Sequence, residues 1–127
     1  MSEAFSVTNL TQGKPPRLPF ARIKESILGK KYIMSLVFAG DARMKRLNQI
    51  YRKKNTVPNV LSFPINKKEG EIFINLKKAA KDADKYKKSY NKFVGFLFVH
   101  AILHLKGCEH GIEMEKEEEK ICRKFNL

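Results

Sequence analysis

The 127-residue chain is predicted to fold as an α+β domain, with a small sheet flanked by helices. Three observations carry that expectation. Four short runs have strand-like patterning, several longer segments place apolar residues at helical spacing, and the two kinds alternate irregularly. An apolar stretch from Phe93 to Leu105 is too short to span a bilayer and suits a buried core helix. The length supports one hydrophobic core, so residues 1–127 are read as a single domain.

Taken in order, Ala4 to Thr8 alternates loosely and is a first strand candidate. Gln12 to Pro19 holds Gly13, Pro15, Pro16 and Pro19 and must be a loop, because proline inside a helix removes a donor and clashes with the preceding turn. Phe20 to Leu28 then reads as a short helix closed by Gly29. Tyr32 to Phe38 is nearly continuous in apolar residues, as a buried strand requires. Asp41 is an expected N-cap for a helix with Met44, Leu47, Ile50 and Tyr51 on its inner face, ending near Asn55. Val60 to Phe63 and Glu71 to Ile74 are two more strands, separated by Pro64 and a charged loop with Gly70. Leu76 to Ala83 is expected to be helical, and Phe93 to Leu105 forms the central helix, stopped by Gly107. Gly111 precedes a last helix whose Glu113 to Glu119 run is expected to be solvated.

Charge limits the partners. Formal net charge is +13, and it is uneven: residues 1–92 carry 21 basic and 7 acidic side chains, residues 93–127 carry 5 and 6. Such a field attracts polyanions through counterion release, which makes nucleic acid the first partner to consider. Lys53, Lys54, Lys67, Lys68, Lys77 and Lys78 are the cations expected to meet phosphates. Met1 to Ser6 lacks the basic and apolar regions of a secretory signal, and two cysteines, Cys108 and Cys122, make no disulfide framework. A cytoplasmic location is the corresponding expectation, with no membrane and no small-molecule cofactor.

All three histidines fall within eleven residues, from His100 to His110. Positions i and i+4 share one helix face, so His100 and His104 can point at one ion. A left-handed Gly107 would turn the chain back and deliver His110. Three imidazoles leave a fourth tetrahedral position open, the arrangement of a catalytic zinc. Cys108 could compete as a soft ligand but is read as packing. Metzincin proteases space their histidines the same way, in H-E-x-x-H-x-x-G-x-x-H, and use the glutamate as general base. Here that position is Ala101, and a methyl group takes no proton.

Beyond the spacing, His100 to His110 resembles the H-G-x-L-H-L-x-G-Y-D-H signature of the YbeY family of zinc-dependent endoribonucleases. Leu47-Asn48-Gln49-Ile50-Tyr51-Arg52 followed by Asn59-Val60-Leu61-Ser62-Phe63-Pro64, and then Gly70-Glu71-Ile72-Phe73-Ile74, resemble two further blocks of that family, in the same order. Departures fall at Pro58, Glu71, Ala101, Cys108 and Glu109, and none removes a metal ligand. The resemblance implies a mixed sheet of about four strands, zinc held by His100, His104 and His110, and Arg52 beside the metal as a catalytic residue. It also implies a cleft lined by Val60 to Phe63, with Asn59 and Ser62 able to contact ribose or phosphate, and Lys53 and Lys54 holding the backbone further along. The expected activity is metal-dependent cleavage of single-stranded RNA in rRNA maturation and ribosome quality control, in association with a ribosomal subunit. A zinc peptidase-like hydrolase and a non-catalytic RNA-binding assembly factor are the alternatives.

Overall fold

The computed structural model describes residues 4–127; Met1 to Glu3, and with them half of the segment read for a signal, lie outside the described residues. The chain runs β1 (Phe5–Asn9), α1 (Phe20–Leu28), β2 (Ile33–Phe38), α2 (Asp41–Arg52), β3 (Val60–Asn66), β4 (Glu69–Ile74), α3 (Leu76–Lys85), α4 (Tyr90–Lys106) and α5 (Ile112–Lys124). The four strands form one mixed sheet in the order β1-β2-β4-β3. β1 and β4 flank β2 in parallel, and β3 pairs antiparallel with β4 at the edge.

Strand alternation sorts the side chains onto two faces. Ile72 and Ile74 join Met34, Leu36 and Phe38 in the main core, against Phe98, Ile102 and Leu103 of α4. Leu61, Phe63 and Phe73 point the other way, into a smaller cluster with Met44 and Leu47 of α2. α4 is buried on nearly its whole circumference, with Phe93, Val94, Leu97, Phe98, Val99, Ala101, Ile102 and Leu103 all inaccessible or nearly so. Three of its half-buried positions, Phe96, His100 and His104, lie four residues apart, which is one stripe along the helix.

Four local expectations need correction. Asp41 is the first helical residue of α2 and not its cap, a position taken by the extended Gly40. Its carboxylate instead accepts a hydrogen bond from Asn75 Nδ2 at 2.7 Å, which holds its pKa below the ordinary range and ties α2 to the start of α3. α2 also ends at Arg52, three residues early, because Lys53 adopts the left-handed conformation (φ 55°) and caps the helix. Pro64 does not end β3. An edge strand has one face of its ladder free, so a residue without N–H is tolerated there, and the strand continues to Asn66 past a register shift. Finally, Gly70 lies inside β4 and not in a loop.

Gly70 is required by space. A Cβ there would sit 2.6 Å from Tyr32 Oη and 2.9 Å from Leu105 Cδ2. Gly95 is crowded as well, but by one side chain, Leu127, whereas Gly70 meets two, one of them the hydroxyl of the buried and less adaptable ring of Tyr32. Gly70→Ala should therefore lower the urea midpoint by the equivalent of about 1–3 kcal/mol, the usual cost of overpacking a well-filled core. Gly95→Ala should be closer to neutral, since a helix-interior glycine gains about 1 kcal/mol on becoming alanine and the leucine can move aside. Equal losses from the two substitutions would contradict this reading.

Candidate metal centre

The site is built where α4 ends. Gly107 adopts φ 102°, and its N–H and that of Cys108 turn back onto the carbonyls of Leu103 and His104. That reversal delivers His110 across the end of the helix. The ring centroids of His104 and His110 lie 4.5 Å apart, those of His100 and His110 5.3 Å, and those of His100 and His104 4.7 Å. One nitrogen from each of the three rings lies within 4.8 Å of the others. His100 Nε2 and His104 Nε2 are 3.2 Å apart. Two nitrogens bound at 2.0–2.1 Å in tetrahedral geometry would be separated by about 3.3–3.4 Å, so this pair is spaced for a zinc-sized ion, with the His110 nitrogen within 4.8 Å of both. Burial is the main cause that lowers the pKa of His104, and the charges of His100 and His110 add to it. The neutral imidazole, which is the ligating form, is thereby favoured.

The histidines lie in the wall of a cleft of about 680 Å³. Arg52, Asn59 and Ser62 line the same cleft, and Ala101 underlies it. Their placement follows from the fold. Arg52 is the last residue of α2, and buried Asn48 donates to the carbonyl and hydroxyl of Thr56, drawing the following loop back onto that helix. Ser62 pairs in register with Ile72, and so points to the sheet face that α4 covers. Lys53 and Lys54 are exposed and do not line the cleft.

Two acidic residues escaped the sequence reading. Asp82 of α3 is buried at the cleft wall, accepts a hydrogen bond from Asn59 Nδ2 at 2.9 Å, and lies within ion-pair range of Lys78 and Lys85. One amide proton of Asn59 is therefore already engaged, and only the rest of the side chain is free for a ligand. Glu118, expected in a solvated run, is 7% exposed and lies 2.6 Å from His100 Nδ1. Both contacts join residues on different elements, so no local spacing signalled them. Cys108 is partly buried against the main core and stands outside the group of possible ligands; it and Cys122 are free thiols.

Fold and site together define a class: small α+β proteins in which two histidines of a central helix and a third from the following turn converge in a cleft that an arginine also lines. Within it, residues 18–126 match the family model described as Endoribonuclease YbeY, and the chain belongs to that family. Endoribonuclease YbeY of Phytoplasma australiense is 40% identical, over 85% of this chain and 81% of the relative. That of Alkaliphilus oremlandii is 35% identical, over 76% of this chain and 74% of the relative. A Thermotoga maritima protein solved in solution shares the fold, with a TM-score of 0.64 at 21% identity over 92% of this chain and 85% of that one.

The depressed pKa of His104 has a consequence for the metal-free protein. Its folded value lies below the ordinary histidine value of about 6.5, so protonation favours the unfolded chain. The stability gained by keeping this ring neutral is present above about pH 6.5 and is lost as the pH falls below it. Urea midpoints measured in chelator should rise with pH across the window just under 6.5, and His104→Gln should flatten that part of the profile. A wild-type profile level through the window would refute the assignment.

Proposed function

We propose that this chain is a metal-dependent endoribonuclease, with residues 1–127 acting as one domain on single-stranded segments of rRNA. The observation that carries this reading is the convergence of three histidine nitrogens in the same cleft that Arg52 lines. The family supports the reaction class, since relatives at 35–40% identity are named endoribonucleases. Zinc is the ion that three neutral imidazoles with an open fourth position suit best. Bound there, it would supply Lewis acidity toward a phosphoryl oxygen and toward water.

The chain's own residues do the rest. The guanidinium of Arg52 can hold two phosphate oxygens at once and meet the charge that develops as the phosphodiester is cleaved. Ser62 and the free part of Asn59 lie along the cleft wall, within the reach of a ribose or phosphate. Asp82 fixes Asn59 and Lys78 from behind. Lys53 and Lys54, outside the cleft, would contact backbone beyond the scissile bond. Buried Ala101 offers no proton acceptor where a metzincin peptidase carries its base, which disfavours peptide hydrolysis. The setting proposed for this activity is the cytoplasm, in rRNA maturation and quality control, with a ribosomal subunit as partner. Among the described residues no helix is long and apolar enough to cross a membrane.

Incubating the purified protein with structured RNA and with a protein substrate, each with and without chelator, tests the proposal. RNA should be cut, and both chelator and His100→Ala should abolish cutting. Metal-dependent proteolysis without RNA cleavage would replace this reading with the peptidase one.

Arg52→Lys keeps the charge but loses the two-pronged geometry, so cleavage should fall by about 10²-fold, the scale of losing one preorganised transition-state donor. Wild-type rates in Arg52→Ala with an intact fold would remove Arg52 from the mechanism. Binding should weaken steeply with salt, with a log–log slope of about −0.7 per neutralised phosphate. Changing Lys53 and Lys54 together to Ala should make that slope shallower and reduce affinity equally for unrelated sequences. Affinity insensitive to salt would exclude the polyanion reading.

A further inference from the structure

Glu118 is out of place on its helix face. α5 buries Met114, Glu118, Ile121 and Cys122, an otherwise apolar stripe at helical spacing that packs toward α4. A carboxylate there loses hydration, a cost that needs a strong partner to offset it. Its partner is His100, with Oε2 at 2.6 Å from Nδ1. Among the described residues, no lysine or arginine nitrogen lies within ion-pair range of this carboxylate. Lys88, across the adjoining cavity, sits 4.6 Å over the ring of Phe96 instead.

For the neutral imidazole, the form that binds a metal, the contact selects one tautomer. A carboxylate oxygen this close to an imidazole nitrogen accepts a hydrogen bond, so Nδ1 carries the proton and Nε2 keeps its lone pair. Nε2 is the atom 3.2 Å from His104 Nε2, at the point the three rings share. We propose that Glu118 is the positioning residue of the metal centre: it holds His100 as the Nδ1–H tautomer and aims its Nε2 lone pair at the ion. This rests on the reading of the three histidines as metal ligands. The carboxylate also increases electron donation through the ring and places negative charge behind a ligand set that has none of its own. Metal loading thus depends on α5 as well as on the helix that bears two of the ligands. The same contact explains why a glutamate stands in the buried stripe where a leucine would pack without desolvation.

The test uses zinc affinity, read by competition with a chromophoric chelator, together with the His100 tautomer in the metal-free, ¹⁵N-labelled protein, read from long-range proton–nitrogen correlations. Glu118→Ala should weaken zinc binding by about 10–100-fold, the usual effect of losing such a partner, and should leave His100 as a mixture of tautomers. Glu118→Gln keeps an acceptor oxygen and the side-chain shape, so it should preserve the tautomer and lose less affinity. Circular dichroism in chelator identifies any variant that fails to fold, and the glutamine variant then carries the comparison. Two results overturn the proposal: wild-type His100 protonated at Nε2, or both folded variants binding zinc as tightly as wild type. If the wild type itself binds no divalent ion better than His100→Ala does, the metal-site reading fails and takes this proposal with it.

Discussion

The burial of α4 is the constraint on which the rest of the molecule depends. A helix that is apolar on nearly every side has no stable place except the centre of a fold, and here the sheet, α1, α3 and α5 all pack around it. Burying a side chain of the size of Phe98, Ile102 or Leu103 stabilises the fold by about 1.5–3 kcal/mol each, so the position and rotation of this helix are strongly determined. One narrow stripe, Phe96, His100 and His104, is left half-open. Two of the three histidines that could hold a metal ion are thus presented from the most deeply buried helix of the domain, which limits the reorganisation that binding an ion would require.

Around that element the cleft is assembled from the ends and edges of others. Arg52 comes from the last turn of α2, Asn59 from the bend just before edge strand β3, Ser62 from that strand, and Lys78 and Asp82 from α3. Edges suit this use because β3 has a neighbour on one side only and leaves room beside the sheet. Of the two cations that line the cleft, Lys78 is held by Asp82 and Arg52 is exposed at the end of its helix, while Lys53, Lys54, Lys67 and Lys68 are exposed outside it. The histidine cluster and the lysines farther out are therefore supplied by different parts of the chain.

Most polar groups inside the fold are tied to another segment. Asn48, Asn75, Asp82 and Glu118 are buried, and their partners are Thr56, Asp41, Asn59 and His100, although Asn48 Oδ1 and the hydroxyl of Tyr32 are buried without one. A buried polar group without a partner is costly, so each of these pairs penalises packings that would separate them. Two of the four reach the cleft: Asp82 lines it, and Glu118 contacts His100 in its wall.

Much of the architecture was legible in the chain itself. The proline-rich loop, the continuous apolar strand around Leu36, the apolar run of α4 and Gly107 after it all express short-range physics: a missing donor, a periodicity, a φ that suits only glycine. The histidine triad was legible for the same reason, because a helical turn and a glycine reversal bring residues ten apart together without help from the rest of the fold. Errors arose where the outcome depended on a partner elsewhere. Asp41 looks like a cap until Asn75 is beside it, and Pro64 looks like a strand end until β3 proves to be an edge. Glu118 looks solvated among five neighbouring acidic and basic residues, and only the packing of α5 on α4 places it behind His100. Sequence alone determined which side chains could hold a metal ion. Tertiary structure decided which groups aim them and which wall they face, because those contacts span 18 to 34 residues of chain and no local periodicity reports them.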